Sequence, residues 1–529
     1  MKTMMCCNRR KLLKYVAVGI AGVLSYPSWA QTTGFVRVNV PSADFLPDVE
    51  IELTMNTADV AILNGEKTRA WKIIGKVITG SSGVLDNNEG TYLAPTLRFK
   101  KGQKVRLILN NNLPAQSILH WHGLHVPANM DGNPMYAINH GETYIYEFEI
   151  LNRAGTYFYH SHAHGVTARQ VYSGLAGLLI VSDDQEQALN LPSGELDVPL
   201  VIQDRSFDNQ NQLVYSAHMM QRMQGFLGEQ ILVNGRPDFV LPVATRAYRL
   251  RLVNGSNSRI YKLAWDDGTP ITVIGVDGGL LENPEQHTYV MLAPGERLEI
   301  WMDFSTRTVG TELNLRSIQF DASSHGGMGM MGGHRGMMGG MMSVSTLPSG
   351  SDYPILKIRV AKKEQGNNSL PKILTPISAL QIENATNTTN PKTIALSMQH
   401  MSALLNGRSY KMNDIQPDEI IPVNSLQLIE FDNGFNSGMH GMMNMPHPMH
   451  LHGEQFQIIK REVNSRFKDS YATVASGLIQ SGWQDTVLVM PGEKVTILKP
   501  FNDFKGLFMY HCHNLEHEDM GMMRDFLVK

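Results

Sequence analysis

Short runs of apolar residues, many of them alternating with polar residues, recur along the chain and are bounded by glycine, asparagine and proline. Such runs are typical of β-strands, because alternate side chains of a strand face opposite sides of a sheet. The clearest runs span residues 96–99, 105–109, 144–150, 249–253, 297–301, 426–431 and 495–498. Long amphipathic helical patterns are scarce, so the pattern predicts an all-β protein.

Three of these runs belong to an internal repeat. A Gly-Glu turn followed by a strand occurs at 141–148, 294–301 and 491–498, and each copy is followed by a strand that starts with glycine, at 155–162, 310–316 and 506–513. A repeat of this kind indicates three copies of one structural unit. We therefore predict three β-sandwich domains, at residues 31–183, 184–362 and 393–529, with an Asn- and Thr-rich linker at 363–392.

The first thirty residues have the features of an export signal peptide. Arg9, Arg10 and Lys11 precede an apolar run at 15–25, and Ser-Trp-Ala at 28–30 is a small-residue cleavage signal. The paired arginines favour the twin-arginine export route, with the general secretory route as the alternative. Because about eleven apolar residues cannot span a bilayer, we expect a periplasmic protein without a membrane anchor.

The charge of the exported chain excludes one class of partner. Five basic residues and no acidic ones lie in residues 1–30, which leaves 41 Lys and Arg residues against 49 Asp and Glu, a net charge of about −8. A mildly acidic protein lacks the basic surface that nucleic acids require. We expect a monomer with no nucleic-acid partner.

Cys512 is the one cysteine that remains after the signal peptide is removed. Exported proteins usually pair their cysteines, so a lone thiol between His511 and His513 is more typical of a metal ligand than of a core residue. On a strand, Cys512 would face one side and the two histidines the other. His517 and Met522 follow at intervals of five residues, and this set of thiolate, imidazole and thioether ligands favours copper.

Four His-x-His pairs occupy matching positions in the first and third repeats. They are His120 and His122, His160 and His162, His450 and His452, and His511 and His513. Each pair can point both imidazoles to one side of a strand, so eight imidazoles could meet between the first and third domains. His447, three residues before His450, is left over and supplies the further histidine that a blue-copper site needs beside Cys512.

These motifs resemble those of the three-domain multicopper oxidases, whose domains are cupredoxin-like Greek-key β-sandwiches. The motifs are His-Trp-His-Gly at 120–123, His-Ser-His at 160–162, His-Pro-Met-His-Leu-His at 447–452 and His-Cys-His at 511–513 with His517 and Met522. The resemblance implies four copper ions and four one-electron oxidations of a reductant, coupled to reduction of O2 to two waters. It implies a type 1 copper on His447, Cys512, His517 and Met522, a type 2 copper on His120 and His450, and a type 3 pair on His122, His160 and His513 and on His162, His452 and His511.

Two acidic residues stand where similar oxidases keep acid groups. Glu518 follows His517, and Asp131 lies nine residues after His122. We expect both to relay protons to the oxygen-reducing centre. For Asp131, a role as a turn residue in Met-Asp-Gly-Asn is the alternative.

Methionines suggest the reductant. Seven lie in a glycine-rich segment at 325–342, namely Met328, Met330, Met331, Met337, Met338, Met341 and Met342, and Met443 and Met445 precede His447. A glycine-rich segment has little to pack, and thioethers select Cu(I), so we interpret it as a Cu(I)-collecting loop. This resembles the bacterial copper efflux oxidases and implies cuprous oxidase activity in copper tolerance, although Met443 stands where those enzymes place an acidic residue.

Three other functions remain open. Ferrous iron would require carboxylates near His447, which residues 441–446 lack, and a phenol would require an open approach to His447. A copper-sequestering protein, which is not an enzyme, would explain a surplus of histidines without requiring their two-domain symmetry.

Overall fold

The protein is described by a computed structural model that covers residues 39–215, 219–322, 346–366, 369–399, 402–435 and 445–529, with the backbone alone at Met219 and Met220. Within these residues strands predominate, and they form six sheets that pack in pairs into three β-sandwiches. Each strongly alternating run of the sequence falls within or overlaps a strand. The predicted all-β fold is confirmed.

The first sandwich has sheets with strand orders β2-β1-β5-β7 and β3-β4-β9-β8-β6, and the apolar faces of both sheets form one core. Its strands are β1 (Val49–Val60), β2 (Thr68–Thr79), β3 (Leu85–Asp86), β4 (Thr96–Lys100), β5 (Lys104–Asn111), β6 (Leu119–His120), β7 (Thr143–Glu149), β8 (Gly155–Ser161) and β9 (Ala176–Ser182). Helix α1 (Thr167–Ser173) connects β8 to β9.

The second sandwich has sheets with orders β11-β10-β13-β18-β15-β16 and β12-β20-β19-β14-β17, again around one core. Its elements are α2 (Asp184–Ala188), β10 (Asp197–Arg205), α3 (Met219–Gln224), β11 (Gln230–Val233), β12 (Val240–Ala244), β13 (Ala247–Asn254), β14 (Tyr261–Trp265), β15 (Ile271–Val276), β16 (Gly279–His287), β17 (Val290–Leu292), β18 (Arg297–Asp303), β19 (Glu312–Ser317) and β20 (Tyr353–Lys362).

The third sandwich has sheets with orders β22-β21-β24-β28-β26 and β23-β30-β29-β25-β27. Its elements are β21 (Lys392–Gln399), β22 (Ser402–Leu405), β23 (Ile420–Ile421), β24 (Ser425–Asp432), β25 (His447–Leu451), β26 (Gln457–Val463), α4 (Lys468–Ala472), β27 (Thr486–Val489), β28 (Glu493–Phe501), β29 (Gly506–Cys512), α5 (Leu515–Asp519) and β30 (Met523–Val528).

The repeat corresponds to one strand pair in each sandwich. The strands that follow the Gly-Glu turns are β7, β18 and β28, and they pair antiparallel with β5, β13 and β24. We retain the domain boundaries as a proposal, which is supported by the end of β9 at Ser182, the end of β20 at Lys362 and the start of β21 at Lys392.

Two predictions concern export and the membrane. The signal peptide at 1–30 lies outside the described residues. Among the residues that the structure describes, none of the helices combines the length and the hydrophobicity that crossing a bilayer requires.

Candidate metal centres

The register between β25 and β29 determines which side chains meet. His511 pairs with His450, and Cys512 pairs with Met449. Because successive side chains of a strand point to opposite faces, Cys512 lies in the apolar core of the third sandwich, whereas His511 points out of that core, towards His162 of the first sandwich. The tripeptide therefore presents donors on both faces, as its sequence predicts.

On the core side, Cys512, His447, His517 and Met522 come together; we call them the thiolate group. The Cys512 sulfur lies 3.4 Å from Nδ1 of His447 and 3.7 Å from Nδ1 of His517. Met522 is buried in the same core, and its carbonyl accepts a hydrogen bond from the Cys512 amide at 3.0 Å. The first three donors lie close enough together to hold one metal ion.

The short helix α5 returns His517 to the sulfur. The side-chain oxygen of Asn514 caps this helix by accepting a hydrogen bond from the backbone N–H of His517. The backbone N–H of Asn514 donates to the Cys512 sulfur at 3.4 Å. On the outer edge of the ring, His517 Nε2 donates to the carbonyl of Met223 at 3.1 Å. Burial raises the pKa of the Cys512 thiol and lowers the pKa of His517 to about 4. A soft cation would offset the cost of a buried thiolate.

The other face belongs to the eight paired histidines, which we call the histidine group: His120, His122, His160, His162, His450, His452, His511 and His513. All eight are buried between the first and third sandwiches. Two ring pairs stack across this boundary, His120 on His452 with centroids 3.7 Å apart and His122 on His450 at 3.6 Å.

Strand register builds the two halves of the histidine group in the same way. In the first sandwich β6 pairs with β8, so that His120 lies opposite His160, just as His450 lies opposite His511 in the third. The second histidine of each pair lies just past the end of its strand: His162, His452 and His513 follow it directly, and His122 follows after one residue. The first and third sandwiches therefore each contribute four imidazoles from two adjacent strands and the residues just after them.

The arrangement of the ring nitrogens fits metal ions. Nε2 atoms face each other in four pairs at 3.2–3.3 Å, namely His120 with His450, His162 with His511, His452 with His511, and His160 with His513. In both rings of the first pair, Nδ1 already donates to a backbone carbonyl, of Asp131 and of Asp485. Both Nε2 atoms of that pair are then unprotonated, and two lone pairs at this distance repel unless a cation lies between them.

The two predicted relay residues contact this group. The Asp131 carboxylate accepts from His452 Nδ1 at 2.7 Å, and burial raises the pKa of Asp131. Glu518 Oε2 lies 3.1 Å from His511 Nδ1, and its other oxygen lies 3.8 Å from His162 Nδ1. Burial alone would raise the pKa of Glu518, but the two imidazoles hold it below its ordinary value.

Asp131 also belongs to a turn. It directly follows the 3₁₀ helix Ala128–Met130, and its amide donates to Ala128. The turn directs its carbonyl to His120 and its carboxylate to His452, so the two interpretations of this residue are compatible.

Sequence reasoning missed Asp485, which lies just before β27. Its carboxylate accepts from His122 Nε2 at 2.9 Å, and Nδ1 of that ring has no hydrogen-bond partner among the described residues. It also missed Glu516, which precedes His517 and fixes the segments on either side of α3. Gln-Asp-Thr at 484–486 and an acidic residue on a short helix are common patterns, so neither carries a local signal.

The predicted methionine ligands are mostly outside the described residues. These are Met443 and the seven methionines of 325–342. Met445, two residues before His447, is described, and its carbonyl accepts a hydrogen bond from the Asn433 side chain at 2.8 Å.

Two sequence models of the multicopper oxidase family match residues 79–186 and 380–529, which contain every member of both groups. A multicopper oxidase of Staphylococcus haemolyticus (strain JCSC1435) is 32% identical over 441 residues, which are 83% of this chain and 83% of that protein. The chain belongs to the multicopper oxidase family.

Two further comparisons agree with this. The crystal structure of a multicopper oxidase from the hyperthermophile Aquifex aeolicus matches with a TM-score of 0.74 and 31% identity, over 92% of this chain and 97% of that one. A laccase of Bacillus subtilis (strain 168) is 29% identical over 484 residues, 82% of this chain and 88% of that protein. The predicted cupredoxin-like fold and laccase-like oxidoreductase class are confirmed, and this multicopper oxidase uses copper, O2 and a reductant.

Proposed function

We propose that this multicopper oxidase binds four copper ions through the residues that its motifs predict. The type 1 ion is assigned to the thiolate group. The type 2 ion is assigned to His120 and His450, one type 3 ion to His122, His160 and His513, and the other to His162, His452 and His511. The observation that carries this proposal is the set of Nε2 atoms facing one another at 3.2–3.3 Å.

Metal analysis combined with spectroscopy tests the assignment. We expect four copper ions per chain, a thiolate-to-copper absorption band that gives a blue colour, and an additional paramagnetic copper signal from the type 2 site. A chain that binds fewer than four ions when fully loaded, or that lacks the blue band, would contradict it.

When bound, copper supplies one-electron redox chemistry at the thiolate group and reduction of O2 to water at the histidine group. The protein connects the two by covalent bonds. Cys512 is adjacent in sequence to His511 and His513, so the path from the sulfur to either imidazole is on the order of 10 Å. The reductant and O2 therefore react at separate places.

Protons for water formation reach the histidine group through buried carboxylates in this proposal. Glu518 lies against His511 and His162, and Asp131 against His452. Such carboxylates can hold a proton beside the centre and orient the imidazoles through their Nδ1 atoms.

Cu(I) is the proposed reductant, with a role in copper tolerance. Thioethers prefer Cu(I), and the chain has seven methionines in the glycine-rich segment at 325–342 and two, Met443 and Met445, before His447. We assign these nine methionines to substrate copper.

Oxygen consumption with Cu(I), Fe(II) and a phenol tests this assignment. The variant replaces all seven methionines of 325–342 by leucine, which keeps their size and removes their sulfur. We expect slower Cu(I) oxidation and unchanged phenol oxidation. Equal Cu(I) rates in the two proteins would overturn the role of this segment, and preferential oxidation of Fe(II) would favour a ferroxidase.

The laccase among the relatives supports a second candidate, a phenol oxidase. Phenol oxidation that exceeds Cu(I) oxidation in the same assay would favour it. A copper-sequestering protein would instead bind copper without consuming O2. Export to the periplasm by the twin-arginine route belongs to the proposal, and replacing Arg9 and Arg10 by lysine should retain the protein in the cytoplasm if that route is used.

A further inference from the structure

The second sandwich contributes none of the donors of the two groups, yet one of its turns touches the histidine group. Gly295 lies in the turn before β18 with a φ of +84°, and a Cβ atom at this position would come within 3.0 Å of both His122 and His513. Only a glycine fits this close approach without displacing an imidazole. The turn is thus in direct contact with the proposed oxygen-reducing centre.

Arg297, two residues later, is completely buried and connects all three sandwiches. Its Nε donates to the carbonyl of Thr156 in the first sandwich at 3.0 Å. Within the second sandwich, Nη1 donates to the carbonyl of Gly295 at 2.9 Å and Nη2 to that of Asp277 at 3.0 Å. Its remaining two donors go to the Asp485 carboxylate of the third sandwich, at 2.7 and 2.5 Å. All five N–H groups of the guanidinium are therefore used.

Asp485 links Arg297 to the histidine group. The oxygen of Asp485 that accepts from Arg297 Nη1 also accepts from His122 Nε2 at 2.9 Å and from Thr486 Oγ1 at 3.0 Å. A carboxylate can only accept, so His122 must carry its proton on Nε2 and leave Nδ1 as a lone pair. In the part of the chain that the structure describes, that Nδ1 has no hydrogen-bond partner, and His122, His160 and His513 lie close enough together to hold one metal ion.

The Asp277 carboxylate stabilises the contact between Arg297 and Asp485 by accepting hydrogen bonds from backbone N–H groups. One of its oxygens accepts from the Arg297 amide at 2.8 Å, and the other accepts from the amides of Asp485 and Thr486 at 3.3 and 3.2 Å. Asp277 thereby holds the start of β18 and the start of β27 next to each other, although they are almost 190 residues apart in the chain.

We infer that Arg297 is a positioning residue of the type 3 centre, because its paired hydrogen bonds to Asp485 fix the orientation and tautomer of His122. This inference rests on the proposed copper sites. It gives the second sandwich, which has no copper ligand in the proposal, a specific task in oxygen reduction. A lysine could supply the charge of Arg297 but not two parallel hydrogen bonds in one plane.

The test compares Arg297→Lys with a matched control, Arg251→Lys. Arg251 is equally buried in the same sheet, donates to both oxygens of Asp197 and to Glu299, and reaches the hydroxyl of the same Thr156, but it does not contact Asp485. Both variants should lose thermal stability as copper-free proteins, because each leaves buried carboxylates with fewer partners.

Only Arg297→Lys should affect the type 3 centre. We expect its type 1 blue band to persist and its reduction by substrate to keep the wild-type rate, whereas copper binding at the histidine group should weaken by about 10- to 100-fold and reoxidation by O2 should slow by a similar factor. The control should keep wild-type copper content and reoxidation. Equal copper content and equal reoxidation rates in the two variants would overturn the inference.

A second variant covers the case in which Arg297→Lys does not fold. Asp485→Asn keeps the size of the side chain and weakens both the pairing with Arg297 and the acceptor for His122, so the same selective copper loss is expected. Wild-type copper content and reoxidation in Asp485→Asn would overturn the inference. Failure of the underlying copper assignment would be distinguishable, because the wild-type protein would then lack the blue band or bind fewer than four ions.

Discussion

The two faces of β29 differ in what surrounds their donors. On one face, Cys512 and Met522 lie in the apolar core of a single sandwich, and the Cys512 sulfur accepts a hydrogen bond from the backbone N–H of Asn514. On the other face, imidazoles from two sandwiches meet and are held by the buried carboxylates of Asp131, Asp485 and Glu518.

This difference matches the chemistry proposed for each face. An electron can pass through a dry, apolar environment without a proton, so the thiolate side needs only a rigid set of soft donors. Reduction of O2 to water consumes protons, which require groups that can bind and release them near the centre. We therefore expect changes on the two faces to have separable effects.

The largest effect is expected from Cys512→Ser. A serine hydroxyl is a poor copper ligand, so the blue band should disappear and substrate oxidation should fall to the uncatalysed rate. The histidine group should keep its copper, because its imidazoles lie on the other face, and metal analysis should show about one ion per chain fewer than in the wild type. Loss of all copper would mean that the two faces are not independent.

Glu518→Gln should slow the reaction on the other face by about 100-fold, the range of a lost general acid or base. The measurement is stopped-flow reoxidation of the reduced protein by O2, with type 1 reduction by substrate followed separately. Type 1 reduction should be unchanged. Reoxidation at the wild-type rate would remove Glu518 from the proton path.

Asp131→Asn should have a smaller effect, about tenfold on reoxidation, because the amide oxygen can still accept from His452 and the turn can form. Steady-state oxygen consumption across a range of pH, together with copper content, measures it. Loss of copper without a change in the rate per bound copper would assign Asp131 to holding the imidazoles rather than to proton transfer.

The smallest effect concerns access to the thiolate side. The Glu516 carboxylate accepts from the Tyr215 hydroxyl at 2.9 Å, the Phe226 amide at 2.9 Å and the Asn257 side chain at 2.8 Å, and thereby fixes the segments that flank α3 beside His517. Replacing a hydrogen bond to a buried charge by one between neutral groups costs about 1 kcal/mol, so α3 should open more often in Glu516→Gln.

In that variant the rate of phenol oxidation relative to Cu(I) oxidation should rise by up to about tenfold, since 1.4 kcal/mol corresponds to one factor of ten. Reoxidation by O2 should be unaffected, because the Glu516 carboxylate bonds to Tyr215, Phe226 and Asn257 rather than to the histidine group. A ratio equal to that of the wild type would show that α3 does not limit access to His517.

Local pattern was sufficient for much of the fold and for the donors. Alternation along 506–513 separated Cys512 from its neighbouring histidines, and the repeat placed matching His-x-His pairs in the first and third units. Both features are visible in short stretches of sequence, because the first is a two-residue period and the second is a turn that recurs along the chain. Such properties are readable without knowing how the sandwiches pack.

The groups that orient those donors were decided by tertiary structure alone. Asp485 meets His122 from 363 residues away in the chain, Arg297 meets Asp485 from 188 residues away, and Met223 reaches His517 from 294 residues away. Aspartate and arginine are common in any sequence, and nothing beside them in the chain records which partner they will meet. The sequence therefore determined which residues are proposed to bind copper, whereas the packing of three sandwiches against one another decided how their imidazoles are oriented, because that depends on distances that no local period encodes.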